Sequence, residues 1–272
     1  MKWLGIWDAH TLDFVTGLSG QGARVENNTM ALRRRRSVVQ SDKVAYGLLK
    51  SFLMPVLTLL FRPKVSGLRH VPSQGPVIIA SNHLSFSDSI FMPLVVPRKV
   101  TFLAKSEYLT SPGPKGLLKK LTFIALGQVP VDRAGGPKSE AALFTGLSVL
   151  ANGECLGIYP EGTRSPDGRL YRGRTGIARL AYESGAPVVP VVMFNTAEIQ
   201  PTGKVIPKIL RVKMKFGEPM FFKGPENGSD PEKLRIATDQ IMKKLQEMSG
   251  QEYVDIYASQ AKEAIEKERK RR

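Results

Sequence analysis

Cysteine is nearly absent: the 272 residues include one, Cys155. An internal disulfide is therefore excluded, and so is a thiolate-rich metal cluster. Histidine is almost as scarce, with three copies, which narrows the choice of a side chain able to act as a base near neutral pH. Aromatic residues make up only 8% of the chain, and no zinc-finger spacing or RNA-recognition signature is present, which argues against a nucleic-acid-binding module. Acidic residues are in deficit, 24 against 40 Lys and Arg for a net charge of +16. The surface should attract anions such as lipid headgroups, nucleotides or nucleic acid. Near the start, Trp3, Leu4, Ile6 and Trp7 are soon interrupted by Asp8, His10 and Asp13, so a secretory signal is not expected. With a single thiol, a reducing, cytosol-facing setting fits.

What is present is enough apolar residue, 42%, for the core of one large domain with terminal extensions. Residues 1–42 are polar and end in Arg33 to Arg36, which reads as a flexible basic leader, with Met30 as an alternative start. Val44 to Phe61 is apolar apart from Lys50, Ser51 and Thr58, and as a helix it would be roughly 27 Å long, close to the hydrocarbon thickness of a bilayer. Pro55 should kink such a helix, and Lys50 would cost roughly 2.5–3.5 kcal/mol at a bilayer centre. Lys43, Gly47, Lys50, Met54 and Thr58 recur at helical spacing, a narrow polar stripe beside a broad apolar face. The expectation over 43–63 is therefore an interfacial or shallowly embedded anchor, with a core helix as the alternative. Arg33 to Arg36, Arg62 and Lys64 flank it and would hold anionic headgroups at roughly 1 kcal/mol each.

From Lys64 onward, apolar runs alternate with helical patterns. The expected strands are Val77 to Ala80, Val100 to Ala104, Leu156 to Tyr159, Val188 to Met193 and Leu210 to Phe216. Ser139 to Asn152 reads as a helix ended by Gly153, and Gly176 to Ser184 as one closed by Gly185. Pro231 to Met248 and Glu252 to Lys267 read as two further helices parted by Gly250, ahead of a charged tail. The expected fold is α/β, a central mixed, mostly parallel sheet flanked by helices, with an N-terminal amphipathic membrane-anchoring helix. A core over 64–229 would be followed by C-terminal helices and a basic tail over 230–272.

Two stretches carry chemistry. The first is Ser81-Asn82-His83-Leu84-Ser85-Phe86-Ser87-Asp88, directly after Val-Ile-Ile-Ala. Residues five apart lie about 140° apart around a helix and roughly 16 Å apart along a strand, so His83 and Asp88 can pair only across a turn. Ser85 and Ser87 favour one through local side-chain to backbone bonds. A carboxylate on one imidazole nitrogen fixes the tautomer and frees the other nitrogen to take a hydroxyl proton. His10 and His70 have no comparable setting. The second is Leu156-Gly157-Ile158-Tyr159-Pro160-Glu161-Gly162-Thr163-Arg164-Ser165, an apolar strand running into a polar turn. Strand ends of this kind commonly bind ligands in α/β sheets. Arg164 suits a phosphate, and Glu161 would orient that Arg or a ligand hydroxyl. A plain surface turn followed by a solvated basic run, Arg169, Arg172, Arg174 and Arg179, is the competing reading.

Together these segments resemble the glycerolipid acyltransferase family, which includes bacterial 1-acyl-glycerol-3-phosphate acyltransferase. Asn82-His83 with Asp88 looks like its first motif and Gly127-Gln128-Val129-Pro130-Val131-Asp132-Arg133 like its second. Glu161-Gly162-Thr163-Arg164-Ser165 matches the third and Val188-Val189-Pro190-Val191 the fourth. The likeness covers roughly residues 60 to 220. Ser165-Pro166-Asp167-Gly168-Arg169 and Gly250-Gln251-Glu252-Tyr253-Val254 point to the actinobacterial branch.

The resemblance implies direct acyl transfer from acyl-CoA or acyl carrier protein to the free hydroxyl of 1-acyl-sn-glycerol 3-phosphate, giving phosphatidic acid. His83 would be the base and Asp88 its support, a form of help worth roughly 100- to 10,000-fold. Arg133, Glu161, Gly162, Thr163 and Arg164, with Asn82 beside the base, would make the acceptor site. Lys105 resembles a family lysine near that pocket, a surface lysine being the alternative. No metal and no cofactor beyond the acyl donor is implied, and the expected location is the cytoplasmic face of the cell membrane, as a peripheral or monotopic protein on an anionic surface. No Gly-x-Ser-x-Gly elbow is present and Cys155 has no neighbouring His, so no covalent nucleophile is expected. Acylation of glycerol 3-phosphate or another lysophospholipid by the same mechanism is one alternative. A non-catalytic basic protein binding membrane or nucleic acid is the other.

Overall fold

The run Val77–Ser81 (β2) is buried at every residue, as a strand covered on both faces must be, and this explains why it is continuously apolar rather than alternating. It sits at the centre of a seven-stranded sheet. With β1 (Lys64–Ser66), β3 (Val100–Lys105), β4 (Gln128–Val131), β5 (Cys155–Ile158), β7 (Val188–Phe194) and β8 (Lys213–Phe216), the order is β1-β8-β7-β2-β5-β3-β4. Only β7 and β8 run antiparallel, with Val191 opposite Phe216; the other neighbours are parallel. The sheet is thus mixed and mostly parallel, as expected. This computed structural model describes residues 47, 50–105, 113, 127–131, 137–204, 206–223 and 230–271, of which those from Leu48 onward belong to one compact unit. The expected leader, 1–42, lies outside the described residues.

Alternate residues of β2 feed two apolar layers. Val77 and Ile79 join Phe91 and Met92 of α2 (Asp88–Val95) and Phe61 of the preceding helix, α1, over residues 50–61. Ile78 and Ala80 join Leu150 of α3 (Pro137–Ala151), Leu180 of α4 (Gly176–Ser184), and Ile241 and Leu245 of α6 (Pro231–Ser249). A short α5 (Thr196–Ile199) follows β7. Asp230 caps α6, accepting from the Glu232 and Lys233 amides at 3.0 and 3.3 Å, and Gly250 closes it at φ 71°. Such a cap is worth about 1 kcal/mol.

The C-terminal segment departs from the sequence expectation. Glu252 to Tyr257 is not helical: Tyr253–Val254 (β9) pairs in parallel with β6 (Leu170–Tyr171), and the last helix, α7, is Ala258–Arg271. An aromatic and a β-branched residue with a ladder partner outweigh the helix-forming composition around them. Leu210 to Val212 likewise stay out of β8; the Val212 amide bonds to Phe61 O and its carbonyl accepts from Lys64 N. Tyr159 leaves the β5 ladder and enters the turn that follows.

Helix α1 runs without a break through Pro55. Leu57 and Phe61 pack into the core, while Phe52 and Leu59 are 79% and 78% exposed, with Met54, Val56 and Leu60 also outward. Lys50 does not sit on a solvated stripe; its ammonium donates to Val96 O beyond α2, and burial lowers its pKa. The open face of α1 is therefore apolar. Among the described residues no helix is long and apolar enough to cross a membrane.

Candidate active site

His83 leaves β2 at its carboxyl end, beside the end of β5, a position where parallel sheets present loops to ligands. Its Nδ1 lies 2.9 Å from Asp88 Oδ2. The same carboxylate oxygen accepts from the Leu84 and Ser85 amides, each at 2.8 Å. The turn is held from below by Ser85 Oγ, which donates to Gln200 O at 2.7 Å, and by a Ser87 to Ser85 hydroxyl bond of 3.1 Å. Asp88 is fully buried while the His83 side chain keeps 15% exposure. The carboxylate thus fixes the imidazole from behind. Among the described residues Nε2 has no hydrogen-bond partner, so it is the nitrogen left for a substrate proton. Burial lowers the His83 pKa, against the Asp88 contact that raises it, and the positive charges of Arg164 and Lys262 lower it further. The resting imidazole is neutral, the form a base requires.

Glu161 follows β5 and is buried. Its Oε1 accepts from the His83 amide at 3.1 Å and its Oε2 from the Tyr171 amide at 3.0 Å. Burial pushes this carboxyl up to about 7, with both amide bonds opposing the rise. Ser165 N donates to His83 O at 2.7 Å. Both sides of the His83 backbone are therefore tied to the Glu161–Ser165 motif. Asn82 spans to β7, with Met193 N donating to Oδ1 at 2.8 Å and Nδ2 donating to Met193 O at 3.1 Å and to Gln251 Oε1 at 2.8 Å. Asn82 and Glu161, expected to meet substrate, instead spend their polar atoms on the protein frame.

Exposed Gly162 and half-buried Thr163 and Arg164 form the lip. Gly162 adopts φ +73°, and a Cβ there would lie 2.9 Å from Arg174 Nε, so both conformation and space call for glycine. Thr163 Oγ1 accepts from Lys262 Nζ at 2.6 Å. The Arg164 guanidinium has no hydrogen bond or ion pair among the described residues. The arginines that follow are committed elsewhere. Arg169 pairs with Asp167 at 2.7 Å, Arg172 faces Asp255, Arg174 lies over the Tyr257 ring and donates to Ser259, and Arg179 bridges Glu140 and Glu183. Arg133 lies outside the described residues, and Lys105 ends β3. Cys155 is buried in β5, its thiol pushed up to about 12 by burial, which leaves it inert at neutral pH. His70 bonds Phe216 O at 3.2 Å, a structural contact. No group of three His, Cys, Asp or Glu able to hold a metal occurs among the described residues.

The sequence reading missed Tyr159, whose ring stacks on His83, and Lys262 and Gln251, which reach the site from the C-terminal segment. A tyrosine next to a motif and a lysine in a charged helix carry no spacing signal of their own.

A neutral histidine oriented by a buried carboxylate, with an arginine on the lip and, among the described residues, no activated nucleophile, defines a general-base centre. Residues 62–194 match the model of the Acyltransferase family. The chain is 31% identical over 144 residues to a chloroplastic 1-acyl-sn-glycerol-3-phosphate acyltransferase of Brassica napus, covering 53% of this chain and 40% of that protein. It is 28% identical over 201 residues to the 1-acyl-sn-glycerol-3-phosphate acyltransferase of Bacillus subtilis, covering 73% and 94%. The crystal structure of the 1-acyl-sn-glycerophosphate acyltransferase PlsC from Thermotoga maritima superposes with a TM-score of 0.58 at 28% identity, over 77% of this chain and 81% of that one. The chain spans about half the length, or less, of the plant and human relatives it matches, 40% for the Brassica protein and 45% for human 1-acyl-sn-glycerol-3-phosphate acyltransferase alpha. Over residues 62–194 the chain is similar to the Acyltransferase family, and more widely to these 1-acyl-sn-glycerol-3-phosphate acyltransferases.

Proposed function

We propose that this protein transfers a fatty acyl group from acyl-CoA or acyl carrier protein to the free hydroxyl of 1-acyl-sn-glycerol 3-phosphate, forming phosphatidic acid. The observation that carries the proposal is the 2.9 Å contact between His83 Nδ1 and an Asp88 oxygen that two backbone amides also hold. His83 Nε2 takes the acceptor hydroxyl proton as that oxygen attacks the thioester carbonyl. The new C–O bond forms, the C–S bond breaks, and the thiolate leaves with the proton returned by the imidazolium. Buried Asp88 stabilises that imidazolium in a medium where the attraction is stronger than in water. Arg164, and Arg133 by family resemblance, receive the acceptor phosphate, with Gly162 and Thr163 shaping the lip. Glu161 and Asn82 act by fixing the His83 backbone. Lys105 is placed at the same pocket by resemblance alone.

The acceptor is a lipid, and the apolar outward face of α1 supports a peripheral or monotopic seat on an anionic cytoplasmic membrane surface. Mass spectrometry of the products formed from mixed acyl-CoAs with glycerol 3-phosphate and several lysophospholipids tests the reading. Phosphatidic acid as the main product supports it; no acyl transfer to lysophosphatidate overturns it.

A further inference from the structure

We propose that Gln251, between α6 and β9, is a positioning residue of the active site: its side-chain amide closes a ring of hydrogen bonds that fixes the His83 backbone against the lip carrying Arg164. This role rests on the acyltransferase reading above and falls to a residue beyond 62–194, the span that the family model matches.

Asn82 Nδ2 donates to Gln251 Oε1 at 2.8 Å, and Gln251 Nε2 donates to Gly168 O at 2.6 Å. Gly168 N donates to Ser165 Oγ at 2.9 Å, Ser165 N donates to His83 O at 2.7 Å, and His83 follows Asn82 in the chain. The circuit is closed. Ser165-Pro166-Asp167-Gly168-Arg169 and Gly250-Gln251-Glu252-Tyr253-Val254 thus meet through side chains and backbone that the transfer chemistry itself does not use.

The two neighbours of Gln251 dictate an amide. Met193 N donates to Asn82 Oδ1 at 2.8 Å, so Asn82 turns Nδ2, a pure donor, towards Gln251. Gly168 O is a pure acceptor. One planar group must therefore accept on one side and donate on the other, which an ionised Glu cannot do and a Met cannot do at all. Nor is this bridge what fastens the C-terminal segment. Tyr253 and Val254 pair with Leu170 and Tyr171, Leu170 N donates to Glu252 O at 2.9 Å, and Ala258 and Ala261 are buried with Tyr171. On the other side Gln251 N donates to Ser249 Oγ at 3.1 Å.

The lip lies inside what the ring holds. Glu161 Oε1 accepts from His83 N at 3.1 Å just ahead of Gly162, and Ser165 N bonds His83 O just after Arg164. The three lip residues are suspended between two contacts to the backbone of the base. With the ring opened, the 165–168 turn loses its tie to Asn82, and the placement of Arg164 relative to His83 is less well defined. An acceptor gripped by its phosphate at the lip then presents its hydroxyl to Nε2 at the reactive separation less often, and the rate of transfer depends steeply on that separation.

Steady-state kinetics with lysophosphatidate and palmitoyl-CoA read the effect. Gln251→Met, similar in length but unable to make either bond, should lower kcat about tenfold or more and leave the palmitoyl-CoA KM within about twofold. Ser165→Ala opens the same ring at its link to Gly168. The double variant should therefore lose little more than the worse single variant, whereas two independent contacts would multiply their effects. Multiplied effects overturn the proposal, as does a wild-type kcat in Gln251→Met. Hydrogen–deuterium exchange needs no turnover. In Gln251→Met the Ser165 and Gly168 amides should exchange about tenfold faster or more, with β9 and α7 protected as in the wild type. Faster exchange confined to residues 250–271, the mark of a residue that merely fastens the C-terminal segment, overturns the proposal. A wild type that acylates no lysophosphatidate sinks the function reading, and exchange at Ser165 and Gly168 still decides the role of Gln251.

Discussion

The His83 imidazole lies flat against the Tyr159 ring, with centroids 3.7 Å apart and 9° between the planes. Tyr159 in turn stacks on Phe102 of β3 at 5.3 Å, and its hydroxyl meets Ser89 Oγ at 2.8 Å. The base therefore rests on an aromatic floor rooted in the sheet, while Asp88 holds its edge. Tyr159→Ala should lower kcat by about 10- to 100-fold, since loss of the floor loosens the imidazole by the fraction of an ångström that orientation cannot tolerate. Tyr159→Phe keeps both stacks and should stay within about threefold, as it loses one neutral hydrogen bond. Admitting water to the exposed imidazole face also relieves the burial that lowers its pKa, so the acidic limb of the Tyr159→Ala rate profile should move upward. Equal activity in Tyr159→Ala and wild type would show that Asp88 alone positions the base.

Asp88 has two jobs that substitution can separate. Asp88→Asn keeps an acceptor oxygen for the Leu84 and Ser85 amides but removes the charge facing His83. It should fold, with kcat reduced by about 100- to 10,000-fold. Asp88→Ala strands the buried Ser85 amide and the half-buried Leu84 amide and should also lower stability by about 2–4 kcal/mol. Chemical denaturation beside steady-state kinetics separates the two effects. A fully active Asp88→Asn enzyme would remove the charge from the mechanism.

The His83–Asp88 contact was legible in sequence because its parts lie five residues apart, so local geometry left a turn as the only route. Five of the seven strands were legible for a similar reason, since strands buried on both faces announce themselves as Val-Ile-Ile-Ala and Val-Val-Pro-Val; β1 and β4, three and four residues long, carry too little pattern and were missed. The duties of Asn82 and Glu161 were not. A buried amide or carboxylate pairs with whatever backbone the tertiary fold delivers, here Met193 and Tyr171. Lys262 reaches Thr163 from 99 positions away, and no local pattern encodes such a distance. The misread helix at Glu252 to Tyr257 has the same origin, since its ladder partner is Leu170–Tyr171.

Glu161 makes a pH-dependent contribution whose sign is unusual for a carboxylate. Its folded pKa is pushed up to about 7, above the ordinary unfolded value, so the folded state holds the proton more tightly. Between about pH 4.5 and 7 the unfolded state releases that proton first, and stability falls as pH rises, by about 3 kcal/mol across the window. His83, with its lowered pKa, slopes the opposite way below its ordinary value. The difference between wild type and Glu161→Gln isolates the carboxylate, because His83 is common to both. Urea denaturation at pH 5 and pH 7.5 should show the gap between the two proteins narrowing or reversing at the higher pH. A constant gap would mean that the carboxyl is not raised by burial. The amide also sets a donor against one of the two backbone amides, so Glu161→Gln should lose activity by displacing the His83 backbone.

The outward face of α1 distinguishes a membrane seat from ordinary surface. Phe52 and Leu59 touch little of the protein, whereas Phe61, on the same helix, is 3% exposed and packs edge-on against Phe91 at 4.9 Å. Phe61→Ala should cost about 3–5 kcal/mol of stability. The double change Phe52→Asp and Leu59→Asp should cost no more than about 1 kcal/mol, the usual limit for two surface sites. If the face enters the lipid interface, the same double change should weaken sedimentation with phosphatidylglycerol-containing vesicles about tenfold or more, because two apolar insertions are lost and two like charges meet the anionic surface. The salt response separates the two contributions. Attraction by basic residues fades over a Debye length of about 8 Å at 0.15 M salt. Apolar insertion does not fade, so wild-type binding should persist in part at 0.5 M salt and the residual part should vanish in the double variant. Binding abolished by salt alone, with the variant indistinguishable from wild type, would place the seat on charge and not on α1.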